Sequence, residues 1–102
     1  MAVTASVIFT NGNKDSTAVT ITPAVSPGLL KGTLYIDGNH GSEGVGTLVM
    51  SATVGAVANN GKRQFGPGTE RAINIEIYCT SLQFSIVGGS TDTALNVKLV
   101  WE

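Results

Sequence analysis

The chain has few charged residues and no cluster of one sign, which excludes some classes of partner. Charged residues make up 13% of its 102 residues, whereas an average globular domain has about 25%. Six basic and seven acidic residues leave a net charge of −1, and no basic stripe is available to neutralise phosphates. We therefore expect no nucleic-acid binding. The weakly charged surface is easily desolvated, which suits burial against other protein subunits.

Cysteine and long hydrophobic runs are also scarce. A single cysteine, Cys79, excludes an internal disulfide and favours folding in a reducing compartment. Its position on the apolar phase of its strand predicts a small buried hydrophobic residue and not a reactive thiol. No stretch approaches the roughly 18 apolar residues of a membrane span, and residues 1–10 do not resemble a signal peptide. We expect no membrane association.

The chain is rich in short segments in which apolar and polar residues alternate. Apolar residues at a spacing of two are typical of a half-buried β-strand, and no segment has a helical period. At this length the chain is expected to be one domain over residues 1–102. We predict a single all-β sandwich of seven to eight short antiparallel strands without a substantial helix, in a jelly-roll or immunoglobulin-like topology. The predicted strands are 3–10, 17–22, 32–36, 46–54, 64–65, 73–80, 82–87 and 94–101.

Turn-forming residues separate these strands. Asn60-Gly61 is the clearest two-residue hairpin turn, and it predicts pairing between residues 54–58 and 62–65. Residues 37–46 contain four glycines and predict a flexible loop, while 66–71 form a second conspicuous loop. In a scaffold without an evident pocket, such loops are where partner contacts are expected.

The few candidate groups for chemistry do not form a convincing site. Asp37, His40 and Glu43 are three residues apart in the glycine-rich loop, but a metal site needs ligands held on rigid elements. His40 with Ser42 lacks the strand-to-helix elbow that would present a nucleophile. No phosphate-binding glycine motif is present. We therefore predict no enzyme activity, no metal and no cofactor.

The aromatic residues suggest an alternative function. Tyr35 and Tyr78 fall on the polar phases of their strands, where they could form an exposed platform for a sugar ring. Trp101 shares the phase of Leu95, Val97 and Leu99 and is expected in the core. The alternative hypothesis is a carbohydrate-binding or host-attachment module that uses Tyr35 and Tyr78.

One region resembles a known group of proteins. The segment Asn60-Gly61-Lys62-Arg63-Gln64-Phe65-Gly66-Pro67 is followed by an alternating strand over 73–78 and by Thr80-Ser81-Leu82. This order, over residues 60–101, resembles small β-sandwich virion proteins of tailed bacteriophages, of the capsid decoration or cement type. The chain departs from that pattern by inserting residues 68–71 before the strand and by a longer final strand, so the subtype stays open.

The resemblance implies a structural virion protein that binds the outside of a phage head and stabilises the joints between capsid subunits. It implies folding in the host cytoplasm, the major capsid protein or another virion subunit as partner, and a homotrimer or homodimer. Arginines and aromatic residues near turns are enriched at the energetic centres of interfaces. The residues expected to contact the partner are therefore Arg63, Phe65, Pro67, Glu70 and Arg71.

Overall fold

The computed structural model describes residues 3–39, 47–55, 63–65, 71–88 and 94–102, which form eight β-strands and no helix. Each predicted strand region overlaps one of them, so the prediction of an all-β fold is confirmed. The strands are β1 (Thr4–Gly12), β2 (Val19–Ile21), β3 (Gly28–Asn39), β4 (Thr47–Thr53), β5 (Arg63–Phe65), β6 (Arg71–Cys79), β7 (Ser81–Val87) and β8 (Ala94–Trp101).

The strands form two four-stranded antiparallel sheets that pack as a sandwich. Sheet 1 has the order β1-β8-β3-β6, and sheet 2 has the order β2-β7-β4-β5. Most consecutive strands therefore lie in different sheets, and the chain crosses repeatedly between the two layers. This order is that of an eight-stranded jelly roll. It differs from the order of an immunoglobulin-like sandwich, so that alternative is wrong.

The core lies between the sheets and follows the predicted alternation. Leu95, Val97 and Leu99 on β8 are buried, as are Leu82 and Phe84 on β7. Trp101 continues the same phase of β8 but lies at the end of the sandwich, where it is half-buried against the core cluster. Opposing inward-facing rows of apolar side chains are what hold a two-layer sandwich together.

β3 is longer than the sequence predicts. It runs from Gly28 to Asn39, so Asp37, at the start of the predicted flexible loop, lies in regular strand opposite Asn96. Residues 40–46 lie outside the described residues. The reason is tertiary: β3 is central in sheet 1 and pairs on both sides, with β6 and with β8. Pairing on both sides outweighs the poor strand propensity of Gly and Asp.

The predicted pairing partner of β5 is wrong. Residues 63–65 pair with Leu48, Val49 and Met50, and not with residues 54–58. The proposed Asn60-Gly61 turn itself lies outside the described residues. Leu48 and Met50 belong to the buried core cluster, and β5 extends sheet 2 beside them. The local turn signal therefore does not decide the register of this pair.

Candidate functional site

The outward-facing side of sheet 1, called here the outer face, exposes several large hydrophobic side chains. Val7 is 66% exposed, Leu29 54%, Tyr78 55% and Tyr35 45%, and Val3 continues the same side beyond β1. These residues alternate with the buried core residues of their strands. Scattered exposed hydrophobic residues are ordinary, but several on the same side of one four-stranded sheet make this side a candidate binding surface.

A shallow groove crosses one end of the outer face, where β1, β8, β3 and β6 lie side by side. We call it the Tyr35 groove. It contains one exposed aromatic ring, apolar side chains around that ring and a small set of polar groups. Its outward-facing side chains are Val7, Thr10, Tyr35, Asp37, Ala72, Asn96 and Lys98.

Strand register arranges the polar groups of the groove. Lys98 lies opposite Tyr35, and Asn96 lies opposite Asp37, on adjacent strands. The Asn96 side-chain oxygen accepts a hydrogen bond from the Asn11 main-chain N–H at 2.9 Å. The amide NH₂ of Asn96 is thereby oriented, and a ligand in the groove would meet one aromatic ring, one carboxylate, one amide and one ammonium. Such a set can bind polar ligands through hydrogen bonds and charge.

The middle of the outer face is more polar. Thr33 donates a hydrogen bond through Oγ1 to Asn74 Oδ1 at 3.2 Å, and Lys31 lies 3.9 Å from the Glu76 carboxylate. Both members of this ion pair are more than half exposed, so the pair contributes little stability. At the edge of the core nearby, the Trp101 indole N–H donates to Ser6 Oγ at 3.2 Å and links β8 to β1.

The two tyrosines predicted to form a sugar platform are both exposed, as expected, but the structure separates them. Tyr35 lies opposite Ala72 in the β3–β6 register, whereas Tyr78 lies opposite Leu29. Six residues of strand therefore separate them along the sheet, which is roughly 20 Å. One sugar ring cannot contact both, so the shared platform is wrong, and Tyr35 alone lies in a groove.

The predicted partner-contact residues follow one side of the sandwich. Arg63 and Phe65 lie on β5 and Arg71 begins β6, and these two strands are the last in their sheets. β4, the neighbour of β5, contacts β6, so both edges are on the same side. Pro67 and Glu70 lie outside the described residues. The structure thus brings the backbones of Arg63, Phe65 and Arg71 to one open side of the fold.

The residues considered for chemistry are not brought together in the described part of the chain. Asp37 lies on the outer face, while His40, Ser42 and Glu43 lie outside the described residues. Within the described ranges there is no group of three or more His, Cys, Asp or Glu side chains that could hold a metal. The same ranges contain no helix long and apolar enough to cross a membrane.

Cys79 is fully buried, as predicted for a small hydrophobic residue. Burial raises the pKa of its thiol above the ordinary value of 9.0, because the thiolate would lose its hydration in the core. The thiol is therefore protonated at neutral pH and shielded from reagents, in keeping with a packing role.

Sequence reasoning missed most of the Tyr35 groove. Asn96 and Lys98 fall on the polar phase of β8, which gives no reason to single them out. Val7 carried a signal, since it is a large apolar residue in the outward phase of β1. That signal is obscured by a register shift after Val7, which places Phe9 and not Ile8 opposite Val97. The chain matches no model of a known protein family, and no curated protein matches it at a significant level.

Proposed function

We propose that this chain is a structural virion protein of the capsid decoration or cement type, which binds the outside of a bacteriophage head and stabilises joints between capsid subunits. The observation that carries the proposal is the outer face, where Val7, Leu29, Tyr35 and Tyr78 are exposed on the same side of one sheet. A face of this kind is suited to a broad contact with another folded protein.

Three further observations support the proposal. The resemblance of residues 60–101 to small virion proteins of tailed phages agrees with it. The jelly-roll topology recurs among viral capsid domains, although it also occurs in lectins and so supports the proposal only as an analogy of fold. The low charge of the chain reduces the cost of desolvating a large contact surface. Many copies on one shell need only modest affinity each, because contacts that bridge linked subunits reinforce one another.

The contact expected first is the outer face, with the major capsid protein as partner. Arg63, Phe65, Pro67, Glu70 and Arg71 remain the predicted additional contacts beside it. Lysine in place of an exposed valine adds a charge that must be desolvated on binding. Val7→Lys tests the outer face, and Val87→Lys is the matched control because Val87 is 57% exposed at the end of β7 in sheet 2.

The experiment uses phage heads that lack the chain and the purified protein added back. We expect the unmodified chain to sediment with the heads and to raise the temperature at which they release DNA. Val7→Lys is expected to bind at least about tenfold more weakly, whereas Val87→Lys binds as the unmodified chain does. Absence of the chain from intact virions, or no binding to any head protein, would refute the proposal.

The second candidate function is carbohydrate binding at the Tyr35 groove. The observation that favours it is one exposed aromatic ring beside Asp37, Asn96 and Lys98, since sugars stack on aromatic faces and hydrogen-bond to such groups. A glycan array tests it with Tyr35→Ala, and Tyr78→Ala is the control on the same face. Loss of a glycan signal with the first variant alone supports the candidate, and no signal from the unmodified chain ends it.

A further inference from the structure

The four edge strands of the sandwich differ in how open they are to pairing with another chain. β2 has three residues, the described part of β5 also has three, and β1 has two register shifts against β8. β6 has nine residues, and its register with β3 runs without a shift. Short strands and bulges are the usual protection of a sheet edge. β6 has neither, and its sequence contains no proline or lysine.

The main-chain groups on the open side of β6 can be identified from the hydrogen bonding of β3. The Glu102 N–H donates to the Lys31 carbonyl at 3.0 Å, so the main chain of Lys31 faces β8. Main-chain groups alternate in direction along a strand, so Gly32 faces β6 and pairs there with Ile75. The residues on either side of Ile75 therefore direct their N–H and C=O groups away from β3. These residues are Ala72, Asn74, Glu76 and Tyr78.

We propose that β6 is a self-pairing edge, at which a second copy of this chain adds its own β6 antiparallel about a two-fold axis at Ile75. All nine residues of the strand are paired only when the axis is at its central residue, Ile75. Ala72 then lies opposite Tyr78 of the second copy, and Asn74 lies opposite Glu76 of the second copy. In both pairs the outward main-chain groups face each other. Each pair occurs twice about the axis and can make two hydrogen bonds, which gives about eight main-chain hydrogen bonds across the edge.

The side chains of β6 are complementary to themselves in this register. On the outer face, a small residue, Ala72, meets a large one, Tyr78, at both ends of the pairing. Asn74 accepts from Thr33 through Oδ1, which leaves its NH₂ group to donate to the Glu76 carboxylate of the second copy. On the inner face, the half-buried Ile73 meets Ile77 of the second copy. Apolar surface left open at the side of the isolated sandwich is thereby covered.

Neighbouring registers are less favourable. Moving the axis to Glu76 places two glutamates directly opposite each other, and like charges in that position are destabilising. Moving it to Asn74 leaves Tyr78 beyond the paired region. In the register centred on Ile75, each Glu76 also keeps Lys31 of its own chain nearby, at 3.9 Å. The chosen register is therefore the one that pairs the whole strand without opposing charges.

The first experiment measures the mass of the purified full chain by sedimentation equilibrium at micromolar to submillimolar concentrations. We expect a monomer–dimer equilibrium. Asn74→Asp places carboxylates opposite each other twice per dimer and should raise the dissociation constant about tenfold. Asn74→Lys, the matched variant, places an ammonium opposite Glu76 of the second copy and should keep or tighten the dimer. A chain that stays monomeric throughout overturns the proposal.

The second experiment fixes the register by cross-linking. In the double variant Ala72→Cys with Tyr78→Cys, the two new thiols are roughly 20 Å apart within one chain but directly opposite across the edge. Mild oxidation should therefore give a covalent dimer. The single variant Ala72→Cys should not cross-link, because its equivalent in the second copy is as distant. Equal cross-linking of both variants, or of neither, overturns the register. Both experiments use the purified chain alone, so their outcome is independent of the virion function proposed above.

Discussion

Gly32 is the position at which a single added methyl group should be most damaging. It lies on β3 between Ile75 of β6 and Trp101 of β8, on the inward phase. A Cβ atom there would lie 2.3 Å from the Val100 carbonyl oxygen and 2.8 Å from both Cα and Cβ of Trp101. These are main-chain and Cβ atoms and not the flexible tip of a side chain. Relief of the overlap therefore requires β8 to move relative to β3.

The expected cost follows from that displacement. Ordinary contacts of a Cβ begin near 3.4 Å, so the strands must separate by about 1 Å. We expect the cost in free energy of unfolding to lie in the upper part of the range for overpacking, about 2–3 kcal/mol. That is a large share of a total stability of about 5–15 kcal/mol. For a domain of this size it corresponds to a fall in Tm of about 10–20 °C.

Thermal and urea unfolding of Gly32→Ala, followed by circular dichroism, measure this loss. The matched control is Gly55→Ala, because Gly55 has a φ of +60° and, among the described residues, no heavy atom lies within 4 Å of an added Cβ. Its cost is backbone strain alone, about 1 kcal/mol. If Gly32→Ala proved no more destabilising than Gly55→Ala, the close approach of β3 and β8 would be wrong.

Three other changes test the core and the edge of the sandwich. Phe84→Ala removes a fully buried ring and should lower the free energy of unfolding by about 3–5 kcal/mol in urea denaturation, whereas Gln83→Ala on the exposed face of the same strand should change it little. Ser6→Ala leaves the Trp101 indole N–H without its acceptor and should cost about 1 kcal/mol, with a shift in tryptophan fluorescence as the direct sign. Burial raises the pKa of Cys79 above 9.0, so the stability that this protonated thiol contributes is complete below that pH and declines as pH rises towards the higher native pKa. The free energy of unfolding, measured by urea denaturation over this alkaline range, should fall less steeply with pH in Cys79→Ala than in the unmodified chain. Equal slopes for the two proteins would contradict this expectation.

The sequence predicts the strands of this fold well because burial alternates along several of them, as it does in β7. Leu95, Val97 and Leu99 have the same two-residue period in the chain as in the core. What it leaves open is the pairing order, since an alternating strand is equally suited to several neighbours. The sequence was therefore compatible with two sandwich topologies, and only the paired order β1-β8-β3-β6 decides for the jelly roll.

The candidate site was less predictable, because it depends on cross-strand neighbours that are distant in the chain. Tyr35 and Tyr78 are correctly exposed, but the β3–β6 register places them at opposite ends of the outer face. Tyr35 instead has Lys98 opposite it on β8, 63 positions later in the sequence. Periodicity gives the face of a strand on which a residue lies, whereas only register gives its neighbours.

The two proposals are compatible because they use different parts of sheet 1. Pairing through β6 uses an edge, and outer-face residues meet outer-face residues across it, so both outer faces end on the same side of one continuous sheet. A dimer would thus present Val7 and Tyr35 twice, in a fixed geometry, to a shell whose subunits repeat. Once one face has bound, the second binds at a high effective concentration provided that its site is within reach. Pairing at the edge would therefore strengthen capsid binding without any new contact to the capsid itself.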